Sequence, residues 1–204
     1  MRTRSGTMTS VEKLMKKAMD LKSKVLSKQE IGDELHLSSP TIDWLLTRQI
    51  KTKKAPGDVK IGWRTIGVFP NRIELISQIM ADIIMEETSE REEEISSIVG
   101  IGLNGIPFAS FIANHLETEL IIYRPNVTDR TAGVFSSNYA GLERKNVVIV
   151  DDVMGSGETV VGVIKAVEEA GGKPIMCVVL VNKTEMNEIS GVPLRALIRT
   201  RLIN

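Results

Sequence analysis

Disulfide bonds and membrane spans are the features that this sequence lacks. Its 204 residues include a single cysteine, Cys177, so no disulfide can form within the chain. Cys177 lies in an apolar run typical of a strand, and we expect a small buried side chain in a reducing cytoplasm. No apolar run approaches the ~20 residues that a membrane-spanning helix needs. The first ten residues lack the apolar core of a signal peptide, and we therefore expect a cytoplasmic protein without membrane contact.

The chain as a whole has no excess of either charge, but its two parts carry opposite net charges. The formal net charge at pH 7 is zero, with 26 basic and 26 acidic residues. Residues 1–64 hold 14 of the basic and 7 of the acidic residues, a net charge of +7, which leaves −7 on residues 65–204. A basic segment on an acidic body indicates two different partners, and nucleic acid is the first expectation for the basic segment.

The basic segment has the pattern of three short helices. Apolar residues at helical spacing predict the first helix, Val11–Lys24. A capping-box pattern at Ser27 starts a second helix, Lys28–Leu35. Ser39 is the predicted cap of a third helix, Pro40–Arg48, with proline at its first position. Two short helices joined by a turn of three to four residues describe a helix-turn-helix.

The third helix is the predicted recognition helix, whose N-terminal residues meet base edges. Lysine ammonium groups nearby suit phosphate contacts. The candidates for DNA contact are Lys28, Ser39, Thr41, Asp43 and Arg48. The turn has His36 where many such motifs have glycine. A small helical cap that mediates dimerisation is the alternative for this segment, and the salt dependence of DNA affinity distinguishes the two.

The rest of the chain predicts a linker and an α/β domain. Residues 51–60 have few apolar side chains and are the predicted linker between a helix-turn-helix domain at 1–50 and a larger domain at 61–204. A short strand or hairpin is predicted at Val59–Phe69, and a capping box at Asn71 is predicted to start the following helix. Buried strands at about 97–101, 119–123, 147–150 and 175–181 alternate with helices. This order predicts a parallel sheet, with Leu194–Leu202 as an edge strand.

The larger domain is organised around the stretch that begins with four apolar β-branched residues, Val147–Val150, typical of a central parallel strand. Asp151 and Asp152 follow at its carboxyl end, where open α/β sheets bind ligands. The small residues at 155–157 then lead into a predicted helix, Thr159–Ala170, whose N-terminus favours a phosphate. Carboxylates beside a phosphate site suit sugar hydroxyls, or a magnesium ion reached through water. The stretch therefore predicts a sugar-phosphate site.

A second glycine-rich stretch follows the predicted strand at 97–101. Gly102, Leu103, Asn104 and Gly105 are predicted to form a loop before a helix, Pro107–Leu116, that Pro107 opens. A glycine-rich loop between a strand end and a helix start is typical of an anion site.

Both stretches together resemble the phosphoribosyl-pyrophosphate (PRPP) motif and the pyrophosphate loop of type I phosphoribosyltransferases. The resemblance implies that Asp151 and Asp152 hold ribose hydroxyls and that Gly102–Gly105 hold the pyrophosphate. The residues implied for the 5′-phosphate are Gly155, Ser156, Gly157, Glu158 and Thr159. Mg²⁺ bound together with PRPP is the implied cofactor, without a direct metal site on the protein. A glycine-rich turn with incidental acids is the alternative.

The long irregular stretch Arg124–Asn146 bears on catalysis, since loops of this length are usually functional or mobile. In phosphoribosyltransferases this region holds a flexible lid, and orotate enzymes place a catalytic lysine and a histidine in it. Here the stretch has no histidine, and its lysine, Lys145, is at its far end. Arg130, which suits a departing pyrophosphate, and Asp152 are the catalytic candidates if the chain is an enzyme. We favour the interpretation that the chain is not an enzyme.

The combination of a helix-turn-helix with such a domain is similar to the archaeal orotate-phosphoribosyltransferase-like transcriptional regulators, a group linked to control of sugar-degradation genes. The resemblance implies a homodimeric, DNA-binding regulator of sugar and central carbon metabolism genes. It also implies that the regulator senses PRPP or another sugar phosphate. The alternative function is that of an orotate phosphoribosyltransferase, which converts orotate and PRPP to orotidine 5′-phosphate and pyrophosphate.

Overall fold

The structure, a computed structural model, describes residues 9–47 and 55–201. The chain divides into two compact units, and the division lies between Gly62 and Trp63. Arg48 and residues 51–54 of the predicted linker lie outside the described residues. Within the two described ranges, no helix combines the length and the apolar character that a membrane crossing requires.

The described part of the first unit contains three helices. They are α1, Ser10–Ser23, α2, Lys28–Leu35, and α3, Ser39–Leu46. The prediction of α2 is confirmed: Ser27 Oγ accepts the Glu30 backbone N–H, and the Glu30 carboxylate accepts the Ser27 backbone N–H. Both bonds lower the pKa of Glu30. α1 begins one residue before its predicted start because Thr9 and Glu12 form a second capping box.

The predicted bounds of α3 were wrong at both ends. Ser38 is the N-cap, since its backbone is extended (φ −67°, ψ 153°), and Ser39 already belongs to the helix. The Ser38 hydroxyl makes no cap bond and lies 3.0 Å from Thr41 Oγ1 instead. The helix ends at Leu46, before the predicted end at residue 48.

An apolar core joins these three helices. Its buried members are Ala18, Ile31, Leu35, Leu37, Ile42, Trp44 and Leu45. Trp44 is 8 % exposed and therefore packs in the core although it lies on the predicted recognition helix. Between α2 and α3, His36 takes the left-handed conformation (φ 51°) that usually selects glycine, and its backbone N–H bonds back to Asp33 and Gly32. The turn thus has the geometry of a glycine turn without the glycine.

The second unit is a seven-stranded sheet with four helices in its described part. The strands are β1, Ser97–Ile101, β2, Glu119–Pro125, β3, Gly133–Phe135, β4, Asn146–Met154, β5, Lys173–Asn182, β6, Glu188–Ile189, and β7, Val192–Arg199. The helices are α4, Arg64–Gly67, α5, Pro70–Glu90, α6, Gly102–His115, and α7, Glu158–Glu169.

The strand order is β3-β2-β1-β4-β5-β7-β6. β1 pairs in parallel with β2 and β4, β4 with β5, and β5 with β7. The outermost pairs, β2 with β3 and β7 with β6, are antiparallel. The predicted parallel α/β sheet is confirmed. The prediction of a buried Cys177 on β5 is also confirmed, and burial raises the pKa of its thiol well above the ordinary range.

Two predictions at the start of this unit were wrong. The stretch predicted as a strand at 59–69 contains α4 instead. α5 starts at Pro70 with Phe69 as its N-cap, not at a capping box on Asn71, and the Arg72 guanidinium lies 4.4 Å from the Phe69 ring centroid. β7 begins at Val192, two residues before its predicted start, and β6 pairs only with Val192 and Pro193. Among the described strands none covers the outer side of Arg195–Arg199, which agrees with the predicted edge strand, and Arg195 forms an ion pair with Glu87 of α5.

Candidate functional site

Two neighbouring strand ends and two helix N-termini meet at one edge of the sheet. β1 and β4 run in parallel with Gly100 opposite Val150, so α6 and Asp151 follow at the same edge. α7 begins at this edge as well, after the short turn that follows β4. Helix N-termini present unpaired N–H groups and positive partial charge, so this edge of the sheet suits an anion.

The two predicted carboxylates lie within β4 rather than after it. The strand continues to Met154, with Asp151 opposite Val179 on β5. Asp151 Oδ1 accepts the Asp152 backbone N–H at 2.8 Å. Asp152 is 5 % exposed, and its Oδ2 accepts the indole Nε1–H of Trp63 at 2.7 Å. A buried carboxylate is costly unless it is hydrogen-bonded, and the indole supplies such a bond.

The predicted pyrophosphate loop is not a loop, because α6 starts directly at Gly102. Gly102 adopts φ +51°, which lets the chain turn from β1 into the helix without a connecting segment. Pro107, predicted to open the helix, lies inside it. Leu103 is 89 % exposed, and Asn104 is half-buried. The four candidate residues Gly102–Gly105 therefore form the first turn of α6.

Gly105 allows this turn to press against β4. A Cβ at position 105 would lie 2.6 Å from the Val150 carbonyl oxygen and 3.0 Å from the Asp151 Cα. Both atoms belong to the backbone of a central strand, so neither has room to retreat. The absence of a side chain at Gly105 thus brings the start of α6 up to the Asp151 carboxylate.

The small-residue turn after β4 presents its backbone to solvent. Gly155 and Ser156 are exposed, and Gly157 is buried with φ +89° as the N-cap of α7. A Cβ on Gly157 would lie 2.8 Å from Ile189 Cδ1, the end of a side chain that can shift, so the left-handed backbone is the main reason for glycine at this position. α7 begins at Glu158, one residue before the predicted start; Glu158 is exposed and Thr159 half-buried.

Most of the stretch predicted to be long and irregular has neither helix nor strand, but it is attached to the sheet at several points. β3 pairs with β2 inside it, and the backbone N–H groups of Ser136 and Ala140 donate to carbonyls of β2. The remaining turn at 126–132 contains Arg130, which is half-buried, and contacts α7, since a Cβ on Gly162 would lie 2.7 Å from the Thr131 carbonyl oxygen.

Two side chains near this stretch are held away from the candidate site or buried. Lys145 forms an ion pair with Glu119, the first residue of β2, and so lies at the opposite edge of the sheet from the carboxylates. Tyr123 on β2 is fully buried, and burial, with a smaller contribution from the Asp129 charge, raises the pKa of its hydroxyl. Lys145 is therefore not placed to assist chemistry at Asp152.

The predicted DNA-contact residues differ in how they are presented. Ser39 is exposed at the start of α3. Lys28 and Asp43 form an ion pair between α2 and α3. The Lys28 side chain is 58 % exposed and the Asp43 side chain 50 %. Thr41 is only 6 % exposed, and its hydroxyl lies 3.0 Å from Ser38 Oγ, so it is presented less openly than Ser39.

Trp63 is the functional candidate that sequence reasoning missed. A tryptophan N–H that is withdrawn from water needs a hydrogen-bond acceptor. The presence of a tryptophan at this position is therefore the signal that the sequence offers. The signal does not identify the acceptor, since Asp152 is 89 positions away along the chain.

Comparison with known proteins defines the class of the second unit. Residues 62–188 match the phosphoribosyl transferase domain family. An adenine phosphoribosyltransferase from Thermoanaerobacter pseudethanolicus superposes with a TM-score of 0.57 at 20 % identity, over 73 % of this chain and 92 % of that one. A PRPP complex of Mycobacterium tuberculosis orotate phosphoribosyltransferase gives 0.53 at 18 % identity, over 68 % and 80 %. The fold is that of the type I phosphoribosyltransferases.

Similarity over nearly the whole chain narrows the class to one family. The transcriptional regulator GfcR of Thermoplasma acidophilum is 50 % identical over 196 residues, which cover 96 % of this chain and 98 % of that protein. GfcR of Picrophilus torridus is 44 % identical, with coverage of 96 % and 100 %. The chain belongs to the GfcR family of transcriptional regulators, and a phosphoribosyltransferase domain makes up most of it.

Proposed function

We propose that this regulator binds double-stranded DNA through α2 and α3 and senses PRPP, or a related sugar phosphate, at the carboxyl edge of its sheet. The genes that we propose it controls are those of sugar and central carbon metabolism, and a cytoplasmic location belongs to the same proposal. The observation that carries it is the meeting of Asp151, Asp152 and the first turns of α6 and α7 at one edge. Two relatives that align with this chain over almost their full length are named transcriptional regulators.

The DNA-binding part of the proposal rests on the first unit. α2 and α3, each eight residues long, are joined by a tight left-handed turn at His36 and are packed through a common core. This arrangement supports the proposed helix-turn-helix, with α3 as its recognition helix. Ser39 and Pro40 are exposed at its start. Lys28, beside Asp43, is positioned at the amino end of α2, where a lysine suits a phosphate.

The ligand part of the proposal rests on complementary chemistry. The exposed backbone at Gly155 and Ser156 and the start of α7 suit a 5′-phosphate, and the first turn of α6 suits the pyrophosphate. Asp151 and Asp152 suit ribose hydroxyls. Both carboxylates already accept hydrogen bonds, which fits a Mg²⁺ ion that reaches them through PRPP and water rather than by direct ligation.

A homodimer completes the proposal. Two recognition helices must lie about one DNA turn apart, ~34 Å, to read two half-sites, and two-fold symmetry then favours a palindromic operator. The ligand controls such a dimer only if it binds the DNA-competent and the incompetent forms with unequal affinity.

Orotate phosphoribosyltransferase activity is the second candidate, and the carboxylate pair favours it. Two observations oppose it: residues 125–144 contain neither lysine nor histidine, and Lys145 is paired with Glu119 at the other edge of the sheet. We expect no orotate consumption with PRPP and Mg²⁺. Turnover that is lost on Asp152→Ala would establish the enzyme and displace the sensor.

Asp152→Asn is the variant that tests the ligand site. Loss of a charged acceptor at the sugar hydroxyls is expected to weaken PRPP binding by about tenfold or more, since hydrogen bonds to charged groups contribute ~1.5–3 kcal/mol. Titration calorimetry with PRPP and Mg²⁺ measures the change. Asp82→Asn on the exposed side of α5 makes the same charge change away from the site and should bind as the wild type does. Equal affinities in both variants would remove Asp152 from the site.

The DNA interface is tested by the salt dependence of binding. Anisotropy with the duplex upstream of the protein's own gene, over a series of salt concentrations, is expected to give a slope of log affinity of about −0.9 per phosphate contact. Lys28→Ala should reduce that slope by about one contact. Lys165→Ala, an exposed lysine of α7 beside Glu169, is the control and should leave it unchanged. A slope near zero would identify the first unit as a dimerising cap.

A further inference from the structure

One aromatic side chain touches both halves of the proposed ligand site. The indole Nε1–H of Trp63 donates to Asp152 Oδ2 at 2.7 Å, at a carboxylate that is 5 % exposed. The ring meets Phe108 edge-on, with centroids 5.5 Å apart and an interplanar angle of 62°. Phe108 lies on α6, one turn beyond the glycines that the pyrophosphate is proposed to contact. Trp63 therefore connects the carboxylate on β4 to the helix that carries the second anion site.

Both the ring and the backbone of Trp63 are held in place. A Cβ on Gly67 would lie 2.5 Å from Cζ3 of the indole, so glycine at that position makes the space that the ring occupies. The Trp63 carbonyl accepts the backbone N–H groups of Ile66 and Gly67 at 2.8 and 3.1 Å. A bond from a neutral donor to an ionised buried acceptor is stronger than one between neutral groups. The contact thus fixes the orientation of the Asp152 carboxylate.

We propose that Trp63 is a positioning residue of the sugar-phosphate site and the group through which occupancy of that site reaches the DNA-binding unit. The proposal rests on the function proposed above. A carboxylate offers about four lone-pair positions, so a ribose hydroxyl binds Asp152 beside the indole and shares the carboxylate that the indole orients. Binding therefore changes the strength and geometry of the Trp63–Asp152 bond.

The position of Trp63 in the chain gives that change a route. Trp63 directly follows Gly62, where the two compact units divide, and it is also the residue that caps α4. A shift of its backbone passes into the covalent connection to the helical unit without any intermediate side chain. If PRPP binds more tightly when Trp63 is in one position than in the other, PRPP and DNA each change the affinity for the other by the same coupling free energy.

Fluorine NMR tests the first part of the proposal on the unaltered full-length sequence. The chain has two tryptophans, Trp44 and Trp63, so growth with 5-fluorotryptophan gives two signals, and Trp63→Phe assigns them. Titration with PRPP and Mg²⁺ is expected to shift the Trp63 signal saturably, with the midpoint that calorimetry gives for binding. A Trp63 signal that stays unchanged while calorimetry records saturated binding would overturn the proposal.

Trp63→Phe tests the coupling, because it keeps an aromatic ring beside Phe108 and removes the N–H. Its PRPP affinity is expected to fall about tenfold, because the Asp152 carboxylate loses the bond that orients it for the ligand. At saturating PRPP, the ratio of DNA affinities with and without ligand should approach one, whereas the wild type keeps its ratio. Trp44→Phe, which removes a tryptophan remote from the carboxylates in sequence and in the other unit, should retain wild-type PRPP affinity.

The outcomes separate this inference from the function on which it rests. A wild-type chain that binds neither PRPP nor DNA would overturn both. A wild-type chain whose DNA affinity responds to PRPP, together with a Trp63→Phe variant that responds equally, would overturn only the role of Trp63. If Trp63→Phe fails to fold, as circular dichroism would reveal, Trp44→Phe assigns the two signals instead. The fluorine titration of the DNA-bound wild-type sequence with PRPP then decides the question, since a Trp63 signal that does not shift while DNA affinity changes would overturn the coupling.

Discussion

Gly105→Ala is expected to destabilise the phosphoribosyltransferase unit by about 3 kcal/mol and to abolish PRPP binding, because overpacking of a tight site typically costs ~1–3 kcal/mol or more. The added methyl would lie 2.6 Å from the Val150 carbonyl oxygen and 3.0 Å from the Asp151 Cα. α6 would have to move away from β4, and its first turn would leave the carboxylates. Denaturant unfolding measures the loss of stability, and calorimetry the loss of ligand.

Gly141→Ala is the matched control for this change. No atom lies within 4 Å of a Cβ built on Gly141, and its backbone is not left-handed. Its effect should stay within the ~0.5 kcal/mol usual for surface substitutions. An unchanged unfolding midpoint for Gly105→Ala would show that α6 and β4 do not approach each other as closely as these distances require.

Leu45→Ala is expected to unfold the helical unit and abolish DNA binding while PRPP binding persists. Leu45 is fully buried in the core that joins α1, α2 and α3. Truncation of a buried leucine costs ~2–5 kcal/mol, and a core of this size rarely supplies more than ~3–5 kcal/mol. Loss of helical circular dichroism together with intact calorimetric PRPP binding is the expected pair of results.

Leu75→Ala provides the comparison, since Leu75 is 58 % exposed on α5 and the chemical change is the same. It should preserve both DNA and PRPP binding. Simultaneous loss of both activities in Leu45→Ala would mean that the two units fold as one cooperative block, contrary to the division at Gly62.

Short sequence patterns correctly predicted the elements that depend on neighbouring residues. The capping box at Ser27 and Glu30 defined the start of α2, and the β-branched run Val147–Val150 identified a central strand of the parallel sheet. The pairing of strand ends with glycine-rich helix starts followed from topology, because parallel strands end at the same edge. These features depend on neighbours within a few residues or on the order of elements.

The errors arose where contacts between residues far apart in the sequence determine the local structure. Nothing near Gly102 indicates that α6 starts without a loop; that depends on how closely Gly105 packs against Val150. β3 exists because β2 offers a free side to pair with, and Trp63 has its partner 89 positions away. The N-cap shift from Ser39 to Ser38 is smaller, since both residue types cap helices and only the backbone angles distinguish them.

The short strands at the two sides of the sheet restrict how copies of this chain can associate. β3 has three residues and β6 has two, and both run antiparallel to the strands that they cover. A short outer strand offers few unpaired N–H and C=O groups to another chain, which discourages edge-to-edge addition and the aggregation that follows from it. Pairing between copies through β3 or β6 is therefore disfavoured, and the part of β7 beyond Pro193, which β6 does not cover, is the longer stretch open to such pairing.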